Sequence, residues 1–531
     1  MAFSVVQSGA TLQAVNADGT LTSLTLPTGI TLDTTKVPRF AVFDRFVVVA
    51  NSPSRPLTVD ADGVVRVLCP LPPTFPLTLT AGAATGVTGD YKALQTFVIR
   101  DNKGNVIAES GYGPDMATAF AATDDKLIAG QINISSEAIT GSKLYRTSAG
   151  GEEYFGWIDV DGNVHTSSIE DGLSDEALAT QSAPALGTPP DLTLVAEWRS
   201  RLWGVDRVKI DELRRSEVGQ AYAWPTENFD IVPKIGSDLR GITALAPRRE
   251  ALGVGRVNVI HQVVGNTSAD FRIVKITENA GIESQESVRI YKDTAFWLWK
   301  DGIYRWDTSG IKNISDGRVR SWFTTDDYFD RSEFKNAFAH VDAVQGVYRL
   351  FLKDVSDALW FVEYDFNEDK FWGPHKTTAF TPTAAFDLPN SSETIVPIIG
   401  SSSGYIFQPH YQGDPHDTVR GTPDTDTGIA FQVVTKKHAM KTPDISKYWG
   451  RLSIIGKPQS AGTLTITPKL GGLNASAQTA ISHTMSLGRQ VLRRIGAPGV
   501  HMELTLEHST AGEPVELYGY EIDDVHELSR R

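Results

Sequence analysis

Residues 294–315, TAFWLWKDGIYRWDTSGIKNIS, constrain the fold of this chain more than any other stretch. The runs AFWLW and IYRW, rich in aromatic and β-branched residues, flank Lys300-Asp301-Gly302. An Asp-Gly pair between alternating apolar residues is the strongest short-range signal for a hairpin, because the turn needs a positive φ that glycine adopts at little cost. A second turn, Asp307 to Gly310, leads to the run IKNIS. The stretch therefore predicts a small antiparallel meander that buries Trp and Phe side chains.

Similar meanders recur along much of the chain. When Trp203, Val254, Trp297 and Leu350 are taken as equivalent, the spacing is roughly 50 residues, near the length of a four-stranded propeller blade. One such sheet cannot bury both of its faces, whereas a ring of sheets can. We therefore predict an all-β fold containing a β-propeller of about six blades, at 30–68, 192–235, 239–278, 284–320, 334–375 and 379–412.

The tryptophans of these segments are expected to pack between blades, and a surface for stacking glycans is the functional alternative. The residues concerned are Trp203, Trp297, Trp299, Trp306, Trp360 and Trp372.

Two further strand-rich segments interrupt and extend the repeats. A proline-rich linker at 69–76, stiff because proline restricts φ, precedes several strand-like runs whose number and spacing predict a β-sandwich. Their order, with a long third strand at 91–100 and a tyrosine in a late strand, resembles a fibronectin type III domain. We predict an inserted sandwich and a C-terminal one. Helix is scarce, and 326–338 is the best candidate for a short helix. The predicted order is 1–70 (N-terminal strands and first blade), 71–190 (inserted β-sandwich), 191–412 (remaining blades), 413–428 (linker) and 429–531 (C-terminal β-sandwich).

Composition excludes several classes of protein. Cys69 is the single cysteine, which excludes a disulfide framework and cysteine-based metal sites. We expect synthesis in a reducing cytosol, because the chain has a single cysteine and its N-terminus lacks the pattern of a secretory signal. We expect no membrane insertion, because no apolar run is long enough. The net charge of −14 argues against a general nucleic-acid binder. Acidity serves solubility in the simplest interpretation, and it also suits a passage wall to which DNA must not adhere.

Motifs that would carry chemistry are weak. The histidines lack metal-ligand spacing, and no nucleophile elbow or phosphate-binding loop occurs. Residues 60–63 and 159–163 begin like calcium loops but lack the closing glutamate, so we interpret them as hairpin turns. A glycan-cutting propeller would need two carboxylates facing one cavity. The candidates, each more simply a turn-former or solvated residue, are Asp206, Asp301, Glu363 and Asp365. We predict no catalytic, cofactor-binding or metal-binding residues, and no enzymatic activity.

Three consecutive pieces carry a resemblance to a known family. They are RLWGVDRVKIDELRRSEVGQAYAWP, GSDLRGITALAPRREALGVGRVNVIHQVVG and GIESQESVRIYKDTAFWLWKDGIYRWD. In this order they resemble the tail nozzle, or tail tube hub, proteins of short-tailed bacteriophages. The resemblance covers roughly 190–380 and transfers no catalytic residue.

The resemblance implies a structural virion protein in the phage tail. Its implied partners are copies of itself in a cyclic homohexamer, a tail adaptor protein, a tail fibre or tailspike, a needle or plug that closes the exit, and DNA that passes without specific binding. A heterologous interface that closes on itself does produce a ring. Two alternatives stay open at this point: a glycan-binding or glycan-degrading propeller protein, and a bacterial surface-layer or adhesion protein, which the missing secretory signal disfavours.

Overall fold

The fold is all-β, as predicted, and is described by a computed structural model. The described residues are 3–17, 20–51, 55–163, 169–171, 173–181, 186–234, 240–376, 381–389, 395–402, 406–408, 416–420, 427–428, 431–435, 437–439, 445–458, 463–471, 476–484, 489–508 and 517–528. The chain divides into two compact units, Met1–Asn16 with Leu21–Arg320 and Ala17–Thr20 with Ser321–Arg531. Each unit is described separately below.

The first unit begins with two small antiparallel sheets. The three-stranded sheet contains β1 (Phe3–Ser8), β2 (Thr11–Asn16) and β3 (Leu21–Leu24). The four-stranded sheet contains β4 (Arg39–Phe43), β5 (Phe46–Ala50), β6 (Leu57–Val59) and β7 (Val65–Val67). The second of these lies within the predicted first blade, 30–68.

Next come two sheets that face each other. Their strands are β8 (Thr78–Tyr91), β9 (Ala93–Arg100), β10 (Val106–Glu109), β11 (Phe120–Gly130), β12 (Gly141–Thr147), β13 (Tyr154–Asp161) and β14 (Ile169–Asp171), with a short helix α1 (Asp175–Leu178). The orders are β10-β9-β12-β13 and β14-β11-β8. Both sheets contribute to one apolar cluster, for example Leu79 and Leu127 from one sheet and Leu144 and Val160 from the other.

Three four-stranded antiparallel sheets complete the first unit, each with its strands in chain order. With β4–β7 counted as the first four-strand meander, the second holds β15 (Leu192–Trp198), β16 (Arg201–Asp206), β17 (Glu212–Arg215) and β18 (Phe229–Ile231). The third holds β19 (Ala244–Pro247), β20 (Leu252–Gly255), β21 (Ile260–Val264) and β22 (Arg272–Thr277). The fourth holds β23 (Arg289–Tyr291), β24 (Thr294–Trp299), β25 (Gly302–Asp307) and β26 (Gly310–Asn313), after a 3₁₀ turn at Gln285–Ser287.

The hairpin predicted at residues 300–302 is present, with its glycine placed differently than expected. Lys300 and Asp301 form the turn, while Gly302 is the first residue of β25 and pairs with Trp299. Gly302 has a φ of +146°, and a Cβ there would lie 2.7 Å from the Cβ of Ser315. Glycine is therefore required both by the backbone conformation and by the close approach of the chain after β26.

The four-strand meanders of the first unit, β4–β7, β15–β18, β19–β22 and β23–β26, pack face to face in this order. On β19, Leu245 joins the cluster shared with the second four-strand meander, whereas Ala244 and Ala246 join the cluster shared with the fourth. This alternation follows from the two-residue period of a strand, which directs neighbouring side chains to opposite faces. Each inner sheet thus buries both of its faces, and the tryptophans lie at the contacts.

The second unit contains two more meanders. One holds β27 (Phe338–Asp342), β28 (Val347–Lys353), β29 (Leu359–Asp365) and β30 (Lys370–Lys376). The other holds β31 (Pro382–Pro389), β32 (Ile395–Ser401), β33 (Ile406–Gln408), β34 (His416–Arg420) and β35 (Thr427–Gly428). They share an apolar cluster that includes Phe338, Phe351, Ala385 and Ile399.

Two sequence-based expectations in this region need correction. Residues 413–428 were expected to be a linker, yet β34 and β35 lie within them and continue the sheet from β33; 413–415 and 421–426 fall outside the described residues. Residues 326–338 contain a 3₁₀ helix at Arg331–Asn336 instead of an α-helix, and a short α2 occupies Ser321–Thr324. Asp330 caps the 3₁₀ helix by accepting from the Ser332 N–H at 2.9 Å.

The chain ends in two sheets that also share one core. The strands are β36 (Phe431–Val434), β37 (Lys447–Gly456), β38 (Thr463–Gly471), β39 (Ser476–Ala477), β40 (Ile481–Thr484), β41 (Arg489–Gly499), β42 (His501–His508), β43 (Leu517–Asp523) and β44 (His526–Glu527). One sheet has the order β36-β42-β38-β39 with β40 on β38, and the other has β41-β37-β43 with β44 on β37. Trp449 and Leu452 of β37 pack with Leu464 of β38 and Leu504 of β42.

Helices are short wherever the chain is described, and none among those residues is long and apolar enough to cross a membrane.

Candidate functional site

The two candidate carboxylates of the first unit have structural partners. Asp206 is the last residue of β16 and accepts a hydrogen bond from the Val208 N–H at 2.7 Å. Asp301 accepts from the Tyr304 hydroxyl at 2.9 Å and forms an ion pair with Arg320, also at 2.9 Å. Both carboxylates therefore stabilise turns of their own sheets.

The two candidate carboxylates of the second unit lie on β29. Glu363 forms an ion pair with Arg349, in which Nη2 lies 2.6 Å from Oε1. Asp365 accepts hydrogen bonds from the N–H groups of Asn367 and Glu368 at 2.8 and 2.9 Å. Asp365 is thus occupied by the turn that follows its strand, and Glu363 is the candidate with acceptor capacity left.

Of the two calcium-like segments, residues 60–63 form the predicted turn. The expectation of a hairpin turn at 159–163 is wrong, because 159–161 end β13, and β13 and β14 lie in different sheets. Asp60 accepts from the N–H groups of Asp62 and Val64 at 3.0 and 2.9 Å and pairs with Arg66. Asp159 pairs with Arg100 at 3.1 Å. Over the described ranges of the chain, no group of three or more His, Cys, Asp or Glu side chains could hold a metal ion.

The tryptophans fall into three groups by the exposure of their side chains. Trp203, Trp297 and Trp306 are buried between sheets, as inter-sheet packing predicts. Trp299 and Trp360 are half-buried. Trp372 is 52% exposed, so the expectation that it packs in the core is wrong.

A junction in the first unit fixes the two facing sheets of β8–β14 to their neighbours. Arg55 pairs with Glu137 and also donates to the carbonyl of Cys69, while the Leu71 N–H donates to Glu137 at 2.8 Å. Below these polar contacts, one apolar cluster joins residues of β2, β5–β7, β9 and β10 with Tyr222. The β8–β14 segment is therefore packed against the neighbouring sheets and is not joined to them by a linker alone.

The centre of this junction holds an almost fully buried carboxylate. Glu109 accepts from the Thr96 hydroxyl at 2.7 Å and from the Tyr145 hydroxyl. Burial, reinforced by the Glu109 charge, raises the pKa of Tyr145 above its ordinary value and raises the pKa of Tyr112 to about 12. Hydrogen bonds to an ionised acceptor are stronger than neutral ones, so this network is suited to holding the sheet rigid.

The second unit has a mixed polar and aromatic cluster at the outer strand of the β27–β30 sheet. Glu363 pairs with Trp372 across the strands, and Phe361 pairs with His375. The register shifts by one residue between these two pairs, so Trp372 and His375 lie on the same face although they are three positions apart. Phe371 contacts Tyr364 on the opposite face, with ring centroids 4.9 Å apart.

The electrostatics of this cluster are balanced. The Nε of Arg349 donates to Oε1 of Glu363 at 2.7 Å, and the His375 ring lies over Phe361 with centroids 4.8 Å apart. Burial lowers the pKa of His375; the Glu363 charge opposes this and the Arg349 charge adds to it. The cluster therefore presents one neutralised ion pair, a neutral imidazole and an exposed indole.

Sequence reasoning named Glu363 as a candidate carboxylate and Trp372 as a possible stacking residue, but it did not place them side by side. It gave no role to Arg349 or His375. The one-residue register shift at β30 could not be foreseen from spacing, although Gly373-Pro374 marks a place where a ladder is commonly interrupted. The buried Glu109 was also missed, because its partners lie on other strands.

No protein-family model and no curated protein sequence matches this chain. Among solved structures, an exo-β-1,3-galactanase from Phanerochaete chrysosporium with galactose is similar over 66% of this chain and 97% of its own, at 10% identity and a TM-score of 0.23. A variant of that enzyme with β-1,3-galactotriose covers 65% and 97%, at 10% identity and a TM-score of 0.24. Scores this low define neither the fold nor the activity of this chain.

Proposed function

We propose that this chain is a structural virion protein, a tail nozzle of a short-tailed bacteriophage that forms the distal part of the channel for genome ejection. The sequence resemblance over roughly 190–380 is the source of the family assignment. In this proposal the chain works as wall and scaffold and performs no catalysis.

The observation that carries the proposal is the serial packing of sheets in the first unit. The four-strand meanders β4–β7, β15–β18, β19–β22 and β23–β26 pack on one another in this order, and the junction around Glu137 and Glu109 fixes the β8–β14 segment to them. Such packing makes a stiff body with broad surfaces, as a channel wall needs. The architecture that we propose is a β-propeller with an inserted fibronectin-III-like sandwich and a C-terminal sandwich.

The proposed assembly is a cyclic homohexamer at the virion tail, made in the host cytoplasm. Its partners would be the tail adaptor, a fibre or tailspike, and a needle or plug. The net charge of −14 supports passage of DNA without retention, since like charges repel at a wall.

Glycan degradation is the second candidate, and one side chain favours it. Trp372 is exposed beside Glu363, as in sites that stack sugars. Hydrolysis requires a second carboxylate across the scissile bond, whereas Asp365 on the same strand is already bonded within its turn. The cluster therefore supports sugar contact better than sugar cleavage.

Immunogold electron microscopy of the virus particles that encode this chain tests the proposal. Antibodies against the purified protein should label the tail tip, distal to the head. Label confined to the soluble fraction of infected cells, with none on particles, would refute the assignment. Antibodies against a capsid protein control for access of the gold.

A further inference from the structure

We propose that the second unit binds a neutral pyranose sugar at the β29–β30 edge, with Trp372 as the stacking platform and Glu363 as the polar partner. A pyranose ring has a C–H face that packs on an aromatic plane and a hydroxyl edge that needs hydrogen-bond partners. Trp372 is 52% exposed, which leaves its ring available to such a face. This proposal goes beyond the structural role and is independent of ring assembly.

Register places the carboxylate next to the platform. Glu363 lies directly opposite Trp372, and Cβ atoms of such pairs are about 5 Å apart. The hydroxyl edge of a sugar lying on the indole therefore falls within reach of the carboxylate. The shifted register also brings His375 to the same side, and its Nε2 is 3.9 Å from Oε2 of Glu363.

The ion pair holds the carboxylate while leaving one oxygen for a ligand. Both short contacts from Arg349, 2.7 and 2.6 Å, go to Oε1. The distance from His375 to Oε2 is too long for a hydrogen bond, so Oε2 accepts none from the described residues. The Glu363 side chain is 20% exposed, so its free oxygen can accept from a sugar hydroxyl.

Charge balance selects the class of sugar. Arg349 neutralises Glu363, and Lys370, at the start of β30, is paired with Glu368 at 2.7 Å. Among the side chains that the structure describes here, the site thus offers no unpaired cation for a sulfated or uronic sugar. A neutral hexose, bound through stacking and hydroxyl contacts, fits these groups best.

Saturation-transfer-difference NMR on the full-length protein tests the site with defined probes. The neutral probes are cellopentaose, maltopentaose and a β-1,3-linked galactopentaose, and oligogalacturonate is the charged comparison. We expect saturation transfer to the ring C–H protons of at least one neutral probe. Trp372→Ala should weaken that binding about tenfold, and Trp372→Phe, which retains an aromatic plane, should restore part of it.

The matched control is Phe75→Ala, because Phe75 is another exposed aromatic residue, 68% exposed, in the first unit. It should leave binding unchanged. Each variant is also compared with the wild type by circular dichroism and thermal melting to confirm folding. Absence of transfer to all neutral probes, binding of oligogalacturonate alone, or equal binding by folded Trp372→Ala would each overturn the proposal.

Discussion

The guanidinium of Arg248 lies 4.4 Å from the ring centroid of Trp306, and this contact joins two successive sheets of the first unit. Arg248 follows β19, and Trp306 belongs to β25. Arg248 also donates from Nε to the carbonyl of Asp293 at 2.8 Å, while its own carbonyl accepts from the Trp198 indole N–H at 2.8 Å. One residue thus connects three consecutive sheets.

Replacing this arginine should loosen the sheet stack. Arg248→Ala removes a buried cation–π contact and two bonds to Asp293, and should cost roughly 2 kcal/mol of stability. Hydrogen exchange should accelerate in β19 and β25, and the melting temperature should fall. Arg249→Ala is the control, because its side chain is 86% exposed. Equal effects of the two variants would contradict the role assigned to Arg248.

The single thiol should be inert in the folded protein. Burial raises the pKa of Cys69 to about 12, and the thiol donates to the carbonyl of Glu109 at 3.3 Å. Because the thiolate is the reactive form, Ellman's reagent at neutral pH should label native protein very slowly and urea-unfolded protein stoichiometrically. Rapid labelling of native protein would show that the Cys69 thiol is accessible and that the junction around it is not closely packed.

Alkaline pH should weaken the junction through Tyr112. Its pKa is raised from 10.0 to about 12 by burial and by Glu109, so the unfolded chain loses the phenolic proton first. This contribution to stability is complete below about pH 10 and is lost as pH rises through about 12. The melting temperature should therefore fall less steeply over this range in Tyr112→Phe than in the wild type. Identical slopes of melting temperature against pH in the two proteins would argue against burial of the Tyr112 phenol.

Acid should loosen the turn between β28 and β29. Asp354 accepts from the N–H groups of Ser356 and Ala358 and from the Trp360 indole, with distances of 2.8 to 2.9 Å. These and related contacts lower its pKa to about 2, against the cost of burial. The stabilisation is present above an ordinary pKa of 3.8 and is lost as pH falls through about 2.

Asp354→Ala should consequently destabilise the second unit by about 1–2 kcal/mol at neutral pH, with a smaller difference from the wild type in acid. Asp357→Asn is the matched control, because Asp357 is 78% exposed on the same turn and asparagine tolerates its φ of +64°. Thermal melting as a function of pH measures both. A pH-independent difference would exclude the carboxylate as the cause.

Much of the architecture could be predicted from local patterns. Asp-Gly turns and two-residue alternation, as around Gly302 and along β19, depend on neighbours in sequence, so the sheets of the meanders were found near their observed positions. The strands β34 and β35 were missed, because the polar residues of 413–428 resemble a linker when their pairing partner on β33 is unknown.

The details of the sites depend on contacts between distant residues. Glu109 is stabilised by Thr96 and Tyr145, which no spacing rule connects with it. Trp372 was expected in the core because the tryptophans of a predicted blade should pack between sheets, whereas it is exposed on β30 opposite Glu363. The register shift lies beyond Trp372 and brings His375 to the same face. Such placements follow from tertiary pairing, which single-sequence patterns do not encode.

Native mass spectrometry of the purified full-length protein, combined with an assay for reducing sugars released from polysaccharides, tests the central claim most directly. We predict a discrete closed oligomer of six chains that releases no sugar. A monomer at all concentrations that cleaves a polysaccharide would contradict it.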